Sequence, residues 1–252
     1  PCAIDAPPSL NKRVSLLSKA GLEKFARIEI DWWLSQSLTK EDPSPSERFS
    51  RTLSRSKLYL RHEIMKAGLG YLESFIVLPP EGSPYGDLST VSSSEIAVLR
   101  YPLPYEDLFS QASDTHSVPL SLILAVARTE SHFDPKAKSI KNALGLLQLL
   151  TSTATEEGLE AGQDLLQPEV NIDLGAKHLR RLLTQYKDEP IYAAAAYNAG
   201  STAVERWRAR APKLEPLAWI ELIAYPETKK YVKKILLAEA GYRTRLAKDV
   251  KN

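Results

Sequence analysis

The sequence predicts an all-α protein, and two observations lead to that prediction. Apolar residues recur at mixed spacings of three and four along several segments, which is the pattern of amphipathic helices. No alternating run of apolar and polar residues is long enough to form a strand. A chain of 252 residues can bury a substantial core in one large or two small domains.

The N-terminal part is predicted to contain two helices, over residues 9–37 and 44–76, which look like members of a helical array or bundle. Residues 79–94 collect Pro, Gly and Ser, as a loop does, and we expect this stretch to be among the more mobile segments. We therefore predict a smaller N-terminal helical region with its linker over residues 1–103, and a second domain over residues 104–252.

Composition excludes several classes of protein. The net charge of +2 is too small to indicate nucleic-acid binding, and no apolar run approaches the roughly 18 to 20 residues of a membrane span. The single cysteine, Cys2, cannot form an internal disulfide and fits a cytoplasmic or a periplasmic protein equally well. The opening PCAIDAPPSLNKR lacks the basic start and apolar core of a secretory leader, so we expect any export signal to be absent from this chain.

The segment AVARTESHFDPKAKS, residues 125–139, contains a glutamate in an apolar helix. Ile123, Ala127 and Glu130 lie at i, i+4 and i+7, so the carboxyl is predicted on the buried side of the helix near its C-terminal end. Burial and the negative helix end both disfavour ionisation, and the resulting raised pKa suits a general acid. A helix-end glutamate that reaches water or pairs with a neighbouring arginine is the structural alternative.

Four further segments follow in order: NALGLLQLLTSTA (142–154), NIDLGAKHLRRLL (171–183), YAAAAYNAGSTAVERW (192–207) and WIELIAYPETKKYVKKIL (219–236). Together with the Glu130 segment, and at these spacings, they resemble the catalytic domain of soluble lytic transglycosylases, glycoside hydrolase family 23. That family shares a lysozyme-like α-fold with goose-type lysozyme. The resemblance covers roughly residues 104–242.

The resemblance implies a set of site residues. Glu130 would be the catalytic acid, Ser139 would lie near an N-acetyl group of the substrate, and Tyr197 would lie beside the catalytic carboxyl. The other positions that match the family's motifs are the cleft residues Gln148, Asn198 and Glu227. Each has a structural alternative: Tyr197 could pack its ring in the core, and Gln148 could cap a helix.

Several positions depart from the family's pattern. Asn142 stands where a glycine is usual, and Asn is the next best residue for a positive-φ turn. Leu147 and Leu150 replace methionines and Thr151 replaces a proline, and we expect these changes to reshape the floor of the cleft. Lys229 replaces an arginine, so the charge is kept but a fork of fixed donors is lost.

The number of carboxylates bears on the mechanism. Ordinary glycosidases use two carboxylates, whereas Glu130 is the one obvious candidate in this sequence. Asp134 has the features of a turn residue. Glu227 could lie near Glu130 only through the fold. An N-acetylated sugar can supply the second group itself. The resemblance implies an enzyme that cleaves the bond between N-acetylmuramic acid and N-acetylglucosamine and leaves 1,6-anhydro ends. A non-catalytic peptidoglycan-binding or scaffolding relative and a hydrolytic muramidase are the alternatives.

No metal or cofactor is expected, because the four histidines lack metal-ligand spacing and no Gly-rich phosphate loop is present. The inferred partner is the glycan strand of peptidoglycan, which places the protein in the periplasm. The N-terminal helical region is a candidate surface for protein partners. The basic segment at residues 229–252 is interpreted as a solvated helix face, with attraction to the anionic wall polymer as the functional alternative.

Overall fold

The computed structural model of the protein describes residues 12–13, 16–17 and 100–249. The chain divides into two units, Pro1–Pro102 and Leu103–Asn252. The four described positions within the first predicted helix are helical. The rest of that helix, the helix predicted over residues 44–76, the loop at residues 79–94 and Cys2 lie outside the described residues.

All regular secondary structure in the described part of the second unit is helical, and the all-α prediction is confirmed. The helices are α1 (Glu106–His116), α2 (Leu120–Ser131), α3 (Thr151–Glu157), α4 (Pro168–Gln185), α5 (Pro190–Ala199), α6 (Ser201–Arg208), α7 (Pro216–Trp219) and α8 (Pro226–Asp249), with a 3₁₀ helix at Ile220–Leu222. Within the described ranges no strand forms, and two isolated bridges join Lys138 to Leu144 and Leu144 to Leu149.

Helix α2 is the central apolar helix, with every residue from Ser121 to Ala127 buried. Pro119 precedes it directly, and its carbonyl accepts hydrogen bonds from the next turn, including one of 2.9 Å from the Leu122 N–H. The helix ends at His132 and Phe133, two consecutive residues with left-handed φ values of 52° and 64°. Glu130 therefore lies in the last turn, where the sequence predicts it.

The end of α2 is held by an aromatic cluster. The Phe133 ring meets Phe109 of α1 edge-on at 6.1 Å and Tyr242 of α8 at 6.5 Å. All three rings are at most 1% exposed. Burying side chains of this size contributes about 1.5–3 kcal/mol each, which offsets the cost of the left-handed backbone at Phe133.

Helix α8 packs against both α2 and α5. Its inward face is apolar and includes Val232 and Ile235, both fully buried. On α5 the alanines from Ala193 to Ala196 are at most 4% exposed, and such small side chains let neighbouring helices approach closely. The structure thus agrees with a packing role for the alanine run, which ends immediately before Tyr197.

The loop between α2 and α3 is fixed by one buried amide. Asn171 of α4 is fully buried; its Oδ1 accepts a 2.7 Å bond from the Leu147 N–H, and its Nδ2 donates to the carbonyls of Leu144 and Leu165, both at 2.9 Å. Gly145 has a φ of 76° and lies so close to Asn171 that a Cβ there would meet Nδ2 at 2.3 Å. The loop is therefore clamped against α4.

Two predictions concern this loop. Asn142 has a φ of 61°, so the expectation that asparagine accepts a positive-φ turn there is confirmed. The expectation that the cleft floor is reshaped stays a prediction; the Leu147 side chain is fully buried, whereas Leu150 is 40% exposed. Leu147 packs onto α4 at Gly175, where a Cβ would lie 2.3 Å from Leu147 Cδ1.

Candidate active site

Glu130 is half-buried at the end of α2, and its carboxylate has one hydrogen-bond donor. The hydroxyl of Tyr231 on α8 donates to Glu130 Oε1 at 2.7 Å. Among the described residues no cation forms an ion pair with Glu130, so the structural alternative of an arginine partner is not the arrangement seen. Tyr231 is 7% exposed, which fixes its hydroxyl in place.

The pKa of Glu130 is raised from 4.5 to about 7, chiefly by burial, which disfavours the charged form. The hydrogen bond from Tyr231 acts in the opposite direction, and the negative charge of Glu227 raises the pKa further. The direction and the main cause agree with the prediction from the sequence. A carboxyl whose pKa is raised in this way can keep its proton near neutral pH, as a general acid requires.

Tyr197, predicted beside the carboxyl, is hydrogen-bonded to the loop. Its hydroxyl donates to the Leu147 carbonyl at 2.7 Å, and the phenol that contacts Glu130 is Tyr231. Burial, followed by the charges of Glu130 and Glu157, raises the pKa of Tyr197 well above its ordinary value. Tyr197 is therefore a neutral hydrogen-bond donor that joins α5 to the loop near Glu130.

A buried glutamate, Glu157, is linked to Tyr197 through His178. Glu157 of α3 is 4% exposed, and its Oε1 lies 2.9 Å from His178 Nδ1 and accepts a 2.7 Å bond from Arg181 Nε. Burial raises the pKa of Glu157, but these hydrogen bonds outweigh burial and the net pKa is lowered. The His178 ring lies 5.2 Å from that of Tyr197, so α4 supports Tyr197 from this side.

Ser139 and Gln148 both lie in the loop between α2 and α3. The Ser139 Oγ accepts backbone bonds from Lys141 at 3.2 Å and Ala143 at 3.0 Å. The Gln148 Nε2 donates to the carbonyls of Ala137 and Gly145, at 3.1 Å and 2.9 Å. Gln148 is not a helix cap, since α3 begins after Leu150 without a side-chain cap bond.

Asn198 and Glu227 lie at neighbouring helix ends. The Oδ1 of Asn198, near the end of α5, accepts a 2.6 Å bond from the buried Thr228 hydroxyl in the first turn of α8. Glu227, the residue before Thr228, is exposed, and its charge reaches Glu130. Gly200 follows with φ 81° in open space and separates α5 from α6.

Two residues that hold the site in place are not assigned a role from the sequence. Tyr231 lies within the segment at residues 219–236, four residues after Glu227 and hence about one turn further along α8. That spacing was the available signal. Asn171 opens a quoted segment and lies in the first turn of α4, next to apolar positions of an amphipathic helix; an asparagine there is itself a sign of a specific bond.

Ser131, which follows Glu130, has a structural function. Its buried hydroxyl lies 2.7 Å from the Leu146 carbonyl and 3.1 Å from that of Ala127. The bond joins the end of α2 to the same loop that Asn171 clamps to α4. The carboxyl of Glu130 is thus positioned by contacts of its immediate neighbour as well as by Tyr231.

The described residues also limit other kinds of site. In residues 100–249 and the four described N-terminal positions, no three His, Cys, Asp or Glu side chains lie close enough to hold a metal ion. Over the same part of the chain, no helix has both the length and the apolar character that a membrane crossing requires.

Comparison with known proteins bears directly on this arrangement. Residues 107–220 match the model of the Transglycosylase SLT domain. The chain contains an SLT transglycosylase domain. The matched segment includes Glu130, Gln148 and Tyr197 and ends before α8, which supplies Tyr231.

Relatives of this SLT domain include the "Soluble lytic murein transglycosylase" of Escherichia coli K12, 38% identical over 152 residues, which are 57% of this chain and 24% of that protein. The "Peptidoglycan transglycosylase gp16" of Escherichia phage T7 is 39% identical over 103 residues, 39% of this chain and 8% of that protein. The chain thus spans about a quarter of the length of the soluble relatives it matches.

Solved structures agree with the fold of the SLT domain. The 70 kDa soluble lytic transglycosylase SLT70 from Escherichia coli matches with a TM-score of 0.70 and 27% identity, covering 98% of this chain and 37% of that one. A structure of the 70 kDa soluble lytic transglycosylase in complex with bulgecin A matches with a TM-score of 0.71, 27% identity and the same coverage. The lysozyme-like expectation for the fold is confirmed.

Proposed function

We propose that this protein is a peptidoglycan lytic transglycosylase with Glu130 as its catalytic acid. One observation carries the proposal: an SLT domain places, at the end of α2, a half-buried carboxyl with a pKa of about 7 that is held by the Tyr231 hydroxyl. This carboxyl combines a fixed position with a proton available at neutral pH, the two requirements of general acid catalysis.

In the first step, the protonated Glu130 donates to the glycosidic oxygen between N-acetylmuramic acid and N-acetylglucosamine, and the C–O bond breaks. The acetamido oxygen of the muramic residue attacks the same carbon, so the substrate supplies the group for which other glycosidases use a second carboxylate. In the second step, the ionised Glu130 takes the proton of the sugar's 6-hydroxyl, whose oxygen attacks the same carbon, closes the 1,6-anhydro ring and breaks the bond from that carbon to the acetamido oxygen. The proton returns to Glu130 and no water is consumed.

Three side chains retain hydrogen-bonding capacity for the sugars. Each of them uses one polar atom in a hydrogen bond to the protein: Ser139 Oγ, Gln148 Nε2 and Asn198 Oδ1. The remaining groups have no protein partner in the described structure; they are the Ser139 hydroxyl proton, the Gln148 Oε1 and the Asn198 Nδ2. Engagement of one atom fixes the direction of the other, which is a useful property for a binding residue. We assign these three residues to substrate binding.

Hydrolysis is the second candidate, and one observation favours it. The charge of the exposed Glu227 reaches Glu130 and raises its pKa, so a second carboxylate is present near the acid. If Glu227 activated a water molecule, the enzyme would be a muramidase that leaves reducing ends. A non-catalytic relative is a weaker candidate, because neither fold nor binding requires a carboxyl with this pKa.

Location and partners follow from the substrate. Peptidoglycan lies outside the cytoplasm, so we place the protein in the periplasm, with glycan strands as its main partner. The "Soluble lytic murein transglycosylase" relatives act, by name, on the same polymer. Binding of protein partners by the N-terminal helical region remains a proposal.

Product analysis tests the proposal. Purified peptidoglycan is incubated with the parent protein, with Glu130→Gln, and with Glu160→Gln as a control at an exposed glutamate. We expect 1,6-anhydromuramoyl ends from the parent and the control, and a loss of about 10²–10⁴ in rate for Glu130→Gln. Mainly reducing ends, heavier by one water in mass spectrometry, would support hydrolysis through Glu227. Parent-level turnover by Glu130→Gln would refute the assignment of the acid.

A further inference from the structure

Glu157 is a buried carboxyl that the proposed reaction does not use. It is the last residue of α3, where the helix dipole disfavours a negative charge, and it is 4% exposed. His178 Nδ1 lies 2.9 Å from Glu157 Oε1, and Arg181 Nε donates to the same oxygen at 2.7 Å. Lys177 Nζ donates to the Glu157 carbonyl at 2.5 Å. Three side chains of α4 thus converge on one residue of α3.

Stability alone does not explain a charged group at this position. Removing a carboxylate from water is costly, and its hydrogen bonds to cationic partners do little more than offset that cost. An apolar side chain of similar volume at such a buried position is often as stabilising as the ion pair, or more so. The carboxylate of Glu157 therefore points to a need to orient its partners.

His178 connects this carboxylate to the active site. Its ring centroid lies 5.2 Å from that of Tyr197, and the Tyr197 hydroxyl donates to the Leu147 carbonyl at 2.7 Å. Burial, followed by the charges of Glu130 and Glu157, raises the pKa of Tyr197, so both carboxyls act on its hydroxyl. One tyrosine thus joins the buried pair to the surroundings of the catalytic acid.

The bond from Tyr197 restrains the backbone of a substrate-binding residue. The Leu147 carbonyl belongs to the peptide unit that joins Leu147 to Gln148. Gln148 has a left-handed φ of 47°, an unfavourable conformation for a residue other than glycine. Such a conformation persists only where the surrounding structure holds it, and the Tyr197 bond acts directly on the peptide unit before it.

We propose that Glu157 and His178 are positioning residues for substrate binding. The carboxylate sets the orientation of the imidazole ring, the ring supports Tyr197, and Tyr197 holds the peptide unit that precedes Gln148. The proposal rests on the proposed function, because Gln148 is assigned to binding of the glycan strand. It adds to that function two residues that never touch the substrate.

The catalytic acid is held independently of these contacts. The bond to Glu130 comes from Tyr231 of α8, whereas the proposed positioning residues belong to α3 and α4. Loss of the Glu157–His178 pair should therefore raise KM for glycan strands and leave kcat and the alkaline limb of the pH profile unchanged. A purely structural pair would lower activity only by lowering the amount of folded protein.

The test compares three variants with a matched control on purified peptidoglycan. Glu157→Leu removes the carboxylate but keeps a similar size, Glu157→Gln keeps an oxygen that accepts hydrogen bonds, and His178→Ala removes the ring. His116→Ala is the control, because His116 Nε2 lies 2.7 Å from Asp173 Oδ1, a different carboxylate of α4. We expect KM to rise about tenfold for Glu157→Leu and His178→Ala. Glu157→Gln and the control should stay within about twofold of the parent.

Two further measurements separate positioning from a loss of stability. In thermal unfolding, Glu157→Leu should be at least as stable as the parent, so its raised KM cannot come from unfolding. In a double-variant cycle, Tyr197→Phe alone should raise KM, and adding His178→Ala should then change it by less than about twofold. The reason is that the bond which the His178 ring supports is already absent.

Binding without turnover completes the test. A glycan strand of two N-acetylglucosamine–N-acetylmuramic acid repeats is titrated by calorimetry into Glu130→Gln, alone and combined with His178→Ala or His116→Ala. We expect Kd to rise about tenfold with His178→Ala and to stay unchanged with His116→Ala.

Two results would overturn the proposal: unchanged KM and Kd in the His178→Ala proteins, or an equal KM rise from His178→Ala with and without the Tyr197 hydroxyl. If the parent forms no anhydro ends, the proposed function fails, while the Kd comparison still decides whether the Glu157–His178 pair positions the binding site. Absence of both turnover and binding would overturn both.

Discussion

The Tyr231 hydroxyl and the Glu130 carboxylate form a 2.7 Å hydrogen bond between residues that are 101 positions apart in the sequence. The donor comes from α8 and the acceptor from the last turn of α2, two helices that pack directly on each other. Because a bond to the charged form favours ionisation, Tyr231 keeps the pKa of Glu130 from rising as far as burial alone would raise it.

Tyr231→Phe should move the alkaline limb of the activity profile to higher pH. Removing the hydroxyl removes a bond to the ionised carboxyl, so the pKa of Glu130 rises and the acid keeps its proton in more alkaline solution. The measurement is kcat/KM for peptidoglycan against pH. An unchanged limb would show that the phenol does not control the acid.

Glu227→Gln should move the same limb to lower pH. The negative charge of Glu227 raises the pKa of Glu130, and its removal makes ionisation easier. Glu160→Gln, at an exposed site, is the control and should leave the profile in place. A shift in the same direction as that of Tyr231→Phe would contradict the electrostatic account of this site.

Glu130→Gln should stabilise the protein more at about pH 8 than at about pH 5. The folded-state pKa of about 7 exceeds the ordinary 4.5, so the native state binds the proton more tightly and its stability falls as pH rises from 4.5 to 7. The difference of about 2.5 between the two pKa values corresponds to at most about 3 kcal/mol of stability, which the parent loses on ionisation at alkaline pH. The neutral amide of the variant cannot ionise and does not lose it. Urea unfolding at both pH values measures it; an equal effect at each would argue against a raised pKa.

Tyr197→Phe should reduce activity less than Glu130→Gln does. The change removes the 2.7 Å bond to the Leu147 carbonyl and costs about 1–3 kcal/mol of stability if that carbonyl finds no water. The carboxyl keeps its Tyr231 bond, so turnover should persist with an unaltered pH limb. Steady-state kinetics and thermal unfolding together check this, and a loss as complete as that of Glu130→Gln would place Tyr197 in the proton-transfer step.

Asn171→Ala should destabilise the protein by about 3 kcal/mol or more. The substitution leaves the Leu147 N–H and the carbonyls of Leu144 and Leu165 without their partner in a buried setting. Gln167→Ala, an exposed amide one turn earlier, is the matched control and should cost well under 1 kcal/mol. Chemical denaturation of both variants compares the two costs; near-equal values would show that the loop does not depend on Asn171.

Local pattern was enough to place Glu130, because helical spacing alone puts it on the buried face of α2. The break at Gly200 and the turn at Asn142 were also predictable from local sequence, because each depends on the conformational preference of one residue. The Tyr231 contact was not predictable, because it depends on how two distant helices cross. The packing of Leu147 was not predictable either, because it depends on the missing side chain of Gly175 on another helix.

The edge-on contacts of Phe133 with Phe109 and Tyr242 tie the end of the acid's helix to side chains near both limits of the domain. During synthesis, Glu130 leaves the ribosome long before α8 does. A nascent chain that stops before α8 has neither the Tyr231 hydroxyl nor the Tyr242 ring. The Glu130 side chain then has no fixed position, and its pKa is the ordinary one of a glutamate. The fixed, weakly acidic carboxyl on which the proposed activity depends is therefore assembled only once α8 has been made and has packed against α2.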